Sequence, residues 1–288
     1  MKKTMNRILL TGGLLLALCA CQKLGNSTDP NTIQFRFHHP SAATKATDTG
    51  FEEGDRAGVF MVYSGETVQL SGNLINNAQF THTGTDWQPD RTYYWPNNSS
   101  DCDVVAYYPY MDITSISQQP FAVPADQSSG LSAFDFMWAK TSDVGYESGA
   151  VDMTFRHRLT KLKITVAAGG EYKDALPEDM TVRILNSHLG GLIDFGTGAV
   201  TKDSDSPVRG IATHSLGNHV FEGLVIPQSI NGRKTPLFEV LASGVSYLFT
   251  GIISYVEGYQ MNITLILESN PSDIMQGIYI DGEYSTWD

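Results

Sequence analysis

The chain has 288 residues, of which 41% are hydrophobic and 17% are charged, with 27 glycines. This length can bury one large or two ordinary cores, and few charges with many glycines favour β-strands joined by turns over helical bundles. The formal net charge of −12 argues against a nucleic-acid partner, because nucleic acids attract basic surfaces. The same acidity gives no attraction to anionic membranes, so any membrane attachment must rest on a lipid.

The first 21 residues predict an exported lipoprotein. Three basic residues within the first seven precede an apolar run over residues 8–20. That run fits the roughly 7–15 residues of a secretory signal and falls short of the roughly 20 needed to span a bilayer. It leads into Leu-Cys-Ala-Cys at 18–21, which resembles a bacterial lipobox. Residues 1–20 are then a signal peptide, and Cys21 is acylated as the first mature residue. The alternatives are an ordinary signal peptide that ends in cysteine, and a cytosolic protein.

The next segment predicts a tether followed by a strand. Residues 21–31 are polar, which is typical of a linker between a lipid and a fold. Residues 32–37 alternate Ile33, Phe35 and Phe37 with polar neighbours, which predicts a half-buried strand. Residues 38–50 have no apolar periodicity and predict an exposed loop.

Short strands are predicted from there to residue 168. In the last of them, Leu162, Ile164 and Val166 face one side, while Lys161 and Lys163 face the other. A polar segment rich in glycine and charge follows, which predicts a boundary between an N-terminal domain, 32–168, and a C-terminal domain, 169–288. The predicted strands of the first domain cover residues 57–63, 78–81, 92–95, 103–110, 134–140 and 151–168, with a long surface loop over 111–130.

The second half repeats this pattern of short apolar segments. They recur at a spacing of about ten residues, with glycine, asparagine or proline between them. No window shows a sustained helical period of apolar residues. The sequence therefore predicts an all-β protein of two tandem β-sandwiches.

Residues that could carry chemistry form no catalytic constellation. His38 and His39 are adjacent, so in a strand they point to opposite faces and do not readily share a metal ion. Nucleophile and phosphate-binding motifs are incomplete. Once residues 1–20 are removed and Cys21 is acylated, Cys102 is the remaining thiol, which predicts a buried apolar residue without a disulfide. We expect no catalytic residue, no metal and no cofactor.

Five segments of the first half follow one another in a distinctive order and spacing: FEEGDRAGVFMVY, DRTYYWP, VVAYYPY, FDFMWAK and FRHRLTKLKITV. This series resembles the fimbrillin family, the lipoprotein-derived pilins of type V pili, and its Mfa-like branch in particular. The second half resembles the family less tightly, through GGLIDFGTGAVT, the VIPQS segment and the closing Trp287.

This resemblance implies two transthyretin-like β-sandwiches and assembly by donor-strand exchange. A trypsin-like protease removes the first strand, and a strand of another subunit fills the vacated groove. In this chain the removable strand is the one that carries Ile33, Phe35 and Phe37, and the expected cleavage site is Lys45, with Arg36 as the weaker candidate. The expected donor strand carries Ile278, Ile280, Tyr284 and Trp287.

Four functions follow as alternatives. The first is a pilus subunit at the cell surface, with other pilin subunits as partners and a host or bacterial surface receptor implied by the family. The second is an accessory fimbrillin that stays anchored in the outer membrane through Cys21. The third is a glycan-binding lipoprotein with Trp87, Trp138 or Trp287 as a stacking platform. A hydrolase is the fourth and has no motif in its favour.

Overall fold

The computed structural model describes residues 29–40, 50–169, 175–267, 275–277 and 284–287, the side chains of 275–277 and 284–286 excepted. Secondary structure in these residues is almost entirely β, with two short 3-10 turns at Ser132–Phe134 and Tyr146–Ser148. The prediction of an all-β fold is therefore confirmed. Within the described part of the chain, no helix has the length and apolarity to cross a membrane.

Nine of the described strands belong to the first half of the chain. They are β1 (Phe35–His38), β2 (Arg56–Tyr63), β3 (Ile75–His82), β4 (Trp87–Pro89), β5 (Cys102–Tyr108), β6 (Gln119–Ala122), β7 (Met137–Val144), β8 (Val151–Thr154) and β9 (Arg156–His157).

The second half contributes fourteen described strands. They are β10 (Thr160–Ala168), β11 (Thr181–His188), β12 (Gly190–Ile193), β13 (Val200–Lys202), β14 (Val208–Ala212), β15 (His214–Gly217), β16 (Val220–Val225), β17 (Gln228–Ile230), β18 (Pro236–Ala242), β19 (Val245–Thr250), β20 (Ile253–Tyr255), β21 (Tyr259–Leu267), β22 (Met275–Gly277) and β23 (Tyr284–Thr286).

The first half is built on a six-stranded sheet with the order β4-β3-β2-β5-β7-β9. The β1-β8 pair is a separate two-stranded sheet, and its residues share an apolar core with one face of the larger sheet. Residues of β2 and β5 alternate between this core and a second one: Val59 and Met61 pack into the first, while Phe60 and Tyr107 pack into the second. The six-stranded sheet is thus buried on both faces, which is why every residue of β5 is buried.

The second half is built around a sandwich of two five-stranded sheets. Their orders are β15-β16-β10-β21-β23 and β14-β11-β18-β19-β22. Inward residues of both sheets share one apolar cluster, such as Ile164 of β10 and Val240 of β18. Because Phe60 and Tyr107 of the first half join that cluster, the two halves are in apolar contact.

The strand β10 changes the expected boundary between the halves. Thr160–Ala168 was expected in the N-terminal domain, but β10 pairs antiparallel with β16 and parallel with β21, both from the second half. The chain therefore passes from one half to the other between β9 and β10, at residues 158–159. A strand's apolar alternation shows which face is buried but carries no information about its distant partners, so the sequence could not place this transition. The division into two separately folding domains stays a prediction.

Two further expectations are corrected. Residues 151–168 form three strands, β8, β9 and β10, instead of one. Residues 111–130 are not simply a surface loop, since they include β6, which pairs with β12, and the buried side chains of Gln119, Val123 and Gln127.

Candidate functional site

The N-terminal segment pairs with two different parts of the first half. Its residues 31–33 pair with residues 93–95. The amide of Ile33 donates to the carbonyl of Tyr93 at 2.9 Å, and the amide of Trp95 donates to the carbonyl of Asn31 at 3.0 Å. Thr32 forms an isolated antiparallel bridge with Tyr94 between them. Ile33 is buried at this point.

Further along this segment, β1 pairs with β8. The two strands run parallel, with Phe35 opposite Val151 and His38 opposite Thr154. At the far end, the amide of Phe155 donates to the carbonyl of His38 at 3.0 Å. The described strand begins at Phe35, later than the predicted 32–37, because residues 31–33 pair with a different part of the chain.

The inner face of β1 fills an aromatic groove. The rings of Phe35 and Phe37 lie with their centroids 5.1 Å and 5.3 Å from that of Phe80. Phe37 also contacts Trp87 at 5.1 Å and Phe155 at 5.7 Å. All of these contacts are edge-on or steeply tilted, which is the favourable geometry for aromatic pairs. Phe35 and Phe37 are thus half-buried by the groove, as their alternation predicts.

The outer face of β1 is held by one carboxylate. Asp152 on β8 accepts from His38 at 2.8 Å and from Arg36 at 2.7 Å. These two hydrogen bonds, that of His38 first, hold the pKa of Asp152 below its usual value. All three side chains are about half exposed or more, and such surface pairs contribute little to stability. Burial of the two phenylalanines therefore dominates the docking of this strand.

The two candidate cleavage residues differ in position. Arg36 lies inside the paired strand β1, where its backbone is opposite Asp152. Lys45 lies outside the described residues, as does the lipidation candidate Cys21.

The candidate donor residues lie at the C-terminal end of the described chain. Strand β22 runs parallel to β19, and β23, which includes Tyr284, runs antiparallel to β21. The amide of Trp287 donates to the carbonyl of Gly258 at 3.2 Å, and its side chain is buried. Ile278 and Ile280 lie outside the described residues. The structure places the described part of this segment on its own second half, and it does not pair it with β1 or with the groove.

A polar cavity of about 200 Å³ lies where the two halves meet. His39, Phe51 and Tyr108 line it from the first half, and Lys161 and Trp287 line it from the second. Burial and the neighbouring carboxylate of Asp55, which accepts from the hydroxyl of Tyr108 at 2.9 Å, raise the pKa of that tyrosine.

The sequence did not predict the buried ionisable side chains beside this cavity. Nδ1 of His157 lies 2.8 Å from Oδ2 of Asp135, but the approach is too bent for a hydrogen bond. Lys161, which was expected to face outward, is 5% exposed and lies 3.3 Å from Glu222. The two residues of each pair are distant in sequence, so the alternation of apolar and polar residues could not predict that they meet. Among the described residues, no group of three or more histidine, cysteine, aspartate or glutamate side chains could hold a metal ion.

The tryptophans do not form the exposed platform that a glycan-binding role requires. Trp287 is buried. Trp138 is half-buried, with its indole N–H donating to the carbonyl of Phe195 at 2.8 Å and Arg158 over its ring at 4.8 Å. Trp87 is half-buried against the groove. The burial of Trp287 and the partial burial of Trp87 and Trp138 therefore count against the expectation that these side chains are available for stacking.

Fold and site together define a β-sandwich protein whose N-terminal and C-terminal strands both dock on its own chain. The chain belongs to the fimbrillin-like family, whose model matches residues 44–282. This membership confirms the resemblance drawn from the sequence.

Individual relatives agree with the family. A Bacteroides uniformis protein named "Putative fimbrium subunit Fim1C" is 30% identical over 201 residues, which covers 68% of this chain and 65% of that protein, less than two thirds of its length. The crystal structure of a "putative cell adhesion protein" from Bacteroides uniformis has a TM-score of 0.67 at 22% identity and covers 90% of this chain and 100% of that one. A second, from Bacteroides ovatus, has a TM-score of 0.67 at 17% identity and covers 90% and 98%. At these identities the two structures show the shared fold.

Proposed function

We propose that this protein is a subunit of a surface pilus that is exported as a lipoprotein and assembles by exchange of its N-terminal strand. In this proposal Cys21 carries the lipid, a trypsin-like protease cuts after Lys45, and β1 leaves with the N-terminal fragment. A strand of another subunit then occupies the groove. Membership of the fimbrillin-like family supports the role.

The observation that carries the proposal is the way β1 is held. Among the described strands it pairs with β8 alone, in a two-stranded sheet, and it contributes two phenylalanines to a groove lined by Phe80, Trp87 and Phe155. Its loss would leave those rings exposed and the amides of Val151 and Phe155 without their acceptors. Both losses are costly for a folded domain. A replacement strand with apolar side chains at alternate positions restores both.

The candidate donor has that alternation. Ile278, Ile280 and Tyr284 are separated by even numbers of residues, so they share one face of an extended strand. In this proposal the described part of this segment, which docks on β21, is released before it enters a neighbouring subunit.

The proposal is tested by sequencing the N-terminus of protein recovered from surface fibres. We expect a mature chain that begins at Ala46. Lys45→Gln should block this processing and leave lipid-bearing protein, while Arg36→Gln, the matched control, should leave it intact. Recovery of only full-length, acylated protein from the surface would overturn the assembly mechanism. It would favour the second candidate, an accessory fimbrillin that stays in the outer membrane through Cys21, where several acyl chains anchor firmly.

A further inference from the structure

Five consecutive residues, 155–159, contact both ends of the described chain. At the start of this segment, the amide of Phe155 donates to the carbonyl of His38 next to the N-terminal strand. At its end, the carbonyl of Leu159 accepts from the amide of Gly258 at 2.9 Å, and the carbonyl of Gly258 accepts from the amide of Trp287. A short path of backbone hydrogen bonds therefore links β1 to the residue that follows β23.

Side chains make a second link through the middle of the same segment. The ring of His157 is stacked on the indole of Trp287, with centroids 3.7 Å apart and planes 3° from parallel. The ring of His39 also approaches that of His157, with centroids 5.9 Å apart and planes at 79°. His157 is thus in contact with a residue from each end of the chain.

The surroundings make this stack sensitive to water. His157 and Trp287 are 3% and 7% exposed, and the ammonium group of Lys161 lies 5.2 Å from the centre of the Trp287 ring. Lys161 in turn lies beside Glu222, and His157 lies beside Asp135. A buried ion pair such as that of Lys161 with Glu222 interacts strongly only while the site stays shielded from solvent. Residues of the N-terminal side, His39 and Phe51, form part of the cavity wall that provides the shielding.

We infer that residues 155–159 couple the two ends of the chain, so that a docked N-terminal strand holds Trp287 and β23 in place and its removal releases them. The coupling follows from the shared contacts: when His39 leaves, the cavity opens, and His157 loses one of the two rings that fix it against Trp287. The biological setting of this inference, strand removal by a protease, rests on the proposed function. The coupling itself concerns the uncut single chain.

Amide hydrogen exchange of the full-length chain tests the coupling without protease or partner subunit. The substitution His39→Ala should raise the exchange rate of the amides at 284–287 roughly five- to tenfold, the range of an ordinary coupling between two sites. Coupling between equilibria is reciprocal. Trp287→Ala should therefore raise exchange in the 33–38 segment by a similar factor.

Two controls separate coupling from general destabilisation. His38→Ala changes the adjacent residue, whose side chain contacts Asp152 on the outer face, and should leave exchange at 284–287 unchanged. The central strand β5 should exchange at the wild-type rate in every variant. Unchanged exchange at 284–287 in His39→Ala, or an equal rise in β5, would overturn the coupling and leave the proposed assembly mechanism untouched. Conversely, uncleaved protein in surface fibres would contradict the assembly mechanism and would not affect the coupling.

Discussion

Gly58 lies so close to the ring of Tyr107 that a Cβ built on Gly58 would stand 2.2 Å from Cε1 of the tyrosine. Tyr107 is fully buried, and its hydroxyl lies 2.6 Å from Oδ1 of Asn77 and 3.1 Å from the carbonyl of Met111, both of which are hydrogen-bond acceptors. The ring is thus held by the core along its length and by hydrogen bonds at its tip. The ring therefore cannot move away from a side chain added at position 58.

We therefore expect Gly58→Ala to destabilise the protein by roughly 1–3 kcal/mol, the usual cost of overpacking a filled core. The matched control is Gly196→Ala, where the nearest atom to a new Cβ is a side-chain oxygen of Asp194 at 3.2 Å, which can move. Urea unfolding measures both variants. Equal unfolding midpoints for Gly58→Ala and Gly196→Ala would contradict the close packing of Gly58 against the ring of Tyr107.

The docking of β1 should depend on its inner face. Phe37→Ala removes a half-buried ring that contacts Phe80, Trp87 and Phe155, and we expect a loss of about 2–4 kcal/mol, since large-to-small changes in a packed site leave a cavity. Arg36→Ala, on the exposed face, should change stability little. Thermal or urea unfolding of the two variants decides between them, and a larger loss for Arg36→Ala would assign the docking to the ion pair instead.

The local features of the fold could be read from the sequence. Short apolar runs bounded by turn-forming residues predicted the strands around residues 57–63 and 103–108, and the alternation of Phe35 and Phe37 with polar neighbours predicted the inward face of β1. The sequence did not show which strands pair with one another. The parallel contact of β10 with β21 joins segments about a hundred residues apart, as the register of Lys161 with Gln260 shows, and it moved the boundary between the halves.

The candidate site divides in the same way. The aromatic residues of β1 and the family resemblance were available from the sequence, and so was the burial of Cys102. The contact of His157 with Trp287, the buried Lys161 and the carboxylate of Asp135 were not, because each depends on how distant segments meet. Residues 92–95, predicted as a strand, form only an isolated bridge at Tyr94 in the structure, since their short aromatic run has a single close partner segment.

Asp103 should make stability depend on acid pH. Burial would raise its pKa, but Lys140, the amide of Asp143 and the hydroxyl of Ser64 bind the carboxylate and hold the pKa below its ordinary value. The ammonium of Lys140 lies 3.1 Å from Oδ2. A lowered pKa in the folded state adds stability above the unfolded value of about 3.9, and this stability is lost as the pH falls through the folded pKa.

We expect the difference in unfolding free energy between the wild type and Asp103→Asn to be constant above about pH 5 and to shrink as the pH falls below about 4. Lys140→Met should remove most of the same pH dependence. Urea unfolding from neutral pH down to pH 3 supplies the comparison, and a difference that stays flat over that range would show that the carboxylate is not held in its charged form.

Cys102 should be unreactive in the folded protein. Its side chain is fully buried, and burial, reinforced by Asp101 and Asp103, raises the pKa of its thiol to about 11. The thiolate that reacts with alkylating agents is then scarce at neutral pH. Iodoacetamide labelling at pH 8, located by peptide mapping, should be slow at Cys102 in the native chain and rapid in urea. Fast native labelling would show that this strand opens locally.

The side chain of Gln127 makes hydrogen bonds to the backbone of β16 that a neighbouring strand would otherwise make. Its side-chain amide donates to the carbonyl of Leu224 at 2.8 Å, and its oxygen accepts from the amide of the same residue at 2.8 Å. The neighbouring strand β15 pairs with β16 only as far as Glu222. Both backbone groups of Leu224 would therefore lack a partner on that side without Gln127, which is itself 1% exposed.

Gln127→Ala should then cost about 2–4 kcal/mol, because it leaves a buried donor and a buried acceptor unpaired at once, and each such group costs roughly 1–3 kcal/mol. Gln127→Glu is the sharper test, since it keeps the shape and the acceptor but loses the donor and buries a charge. The matched control is Gln118→Ala, at an exposed position nearby. Urea unfolding should rank Gln118→Ala closest to the wild type. If Gln127→Ala matched it, water would be replacing the side chain and this edge of the sandwich would be open to solvent.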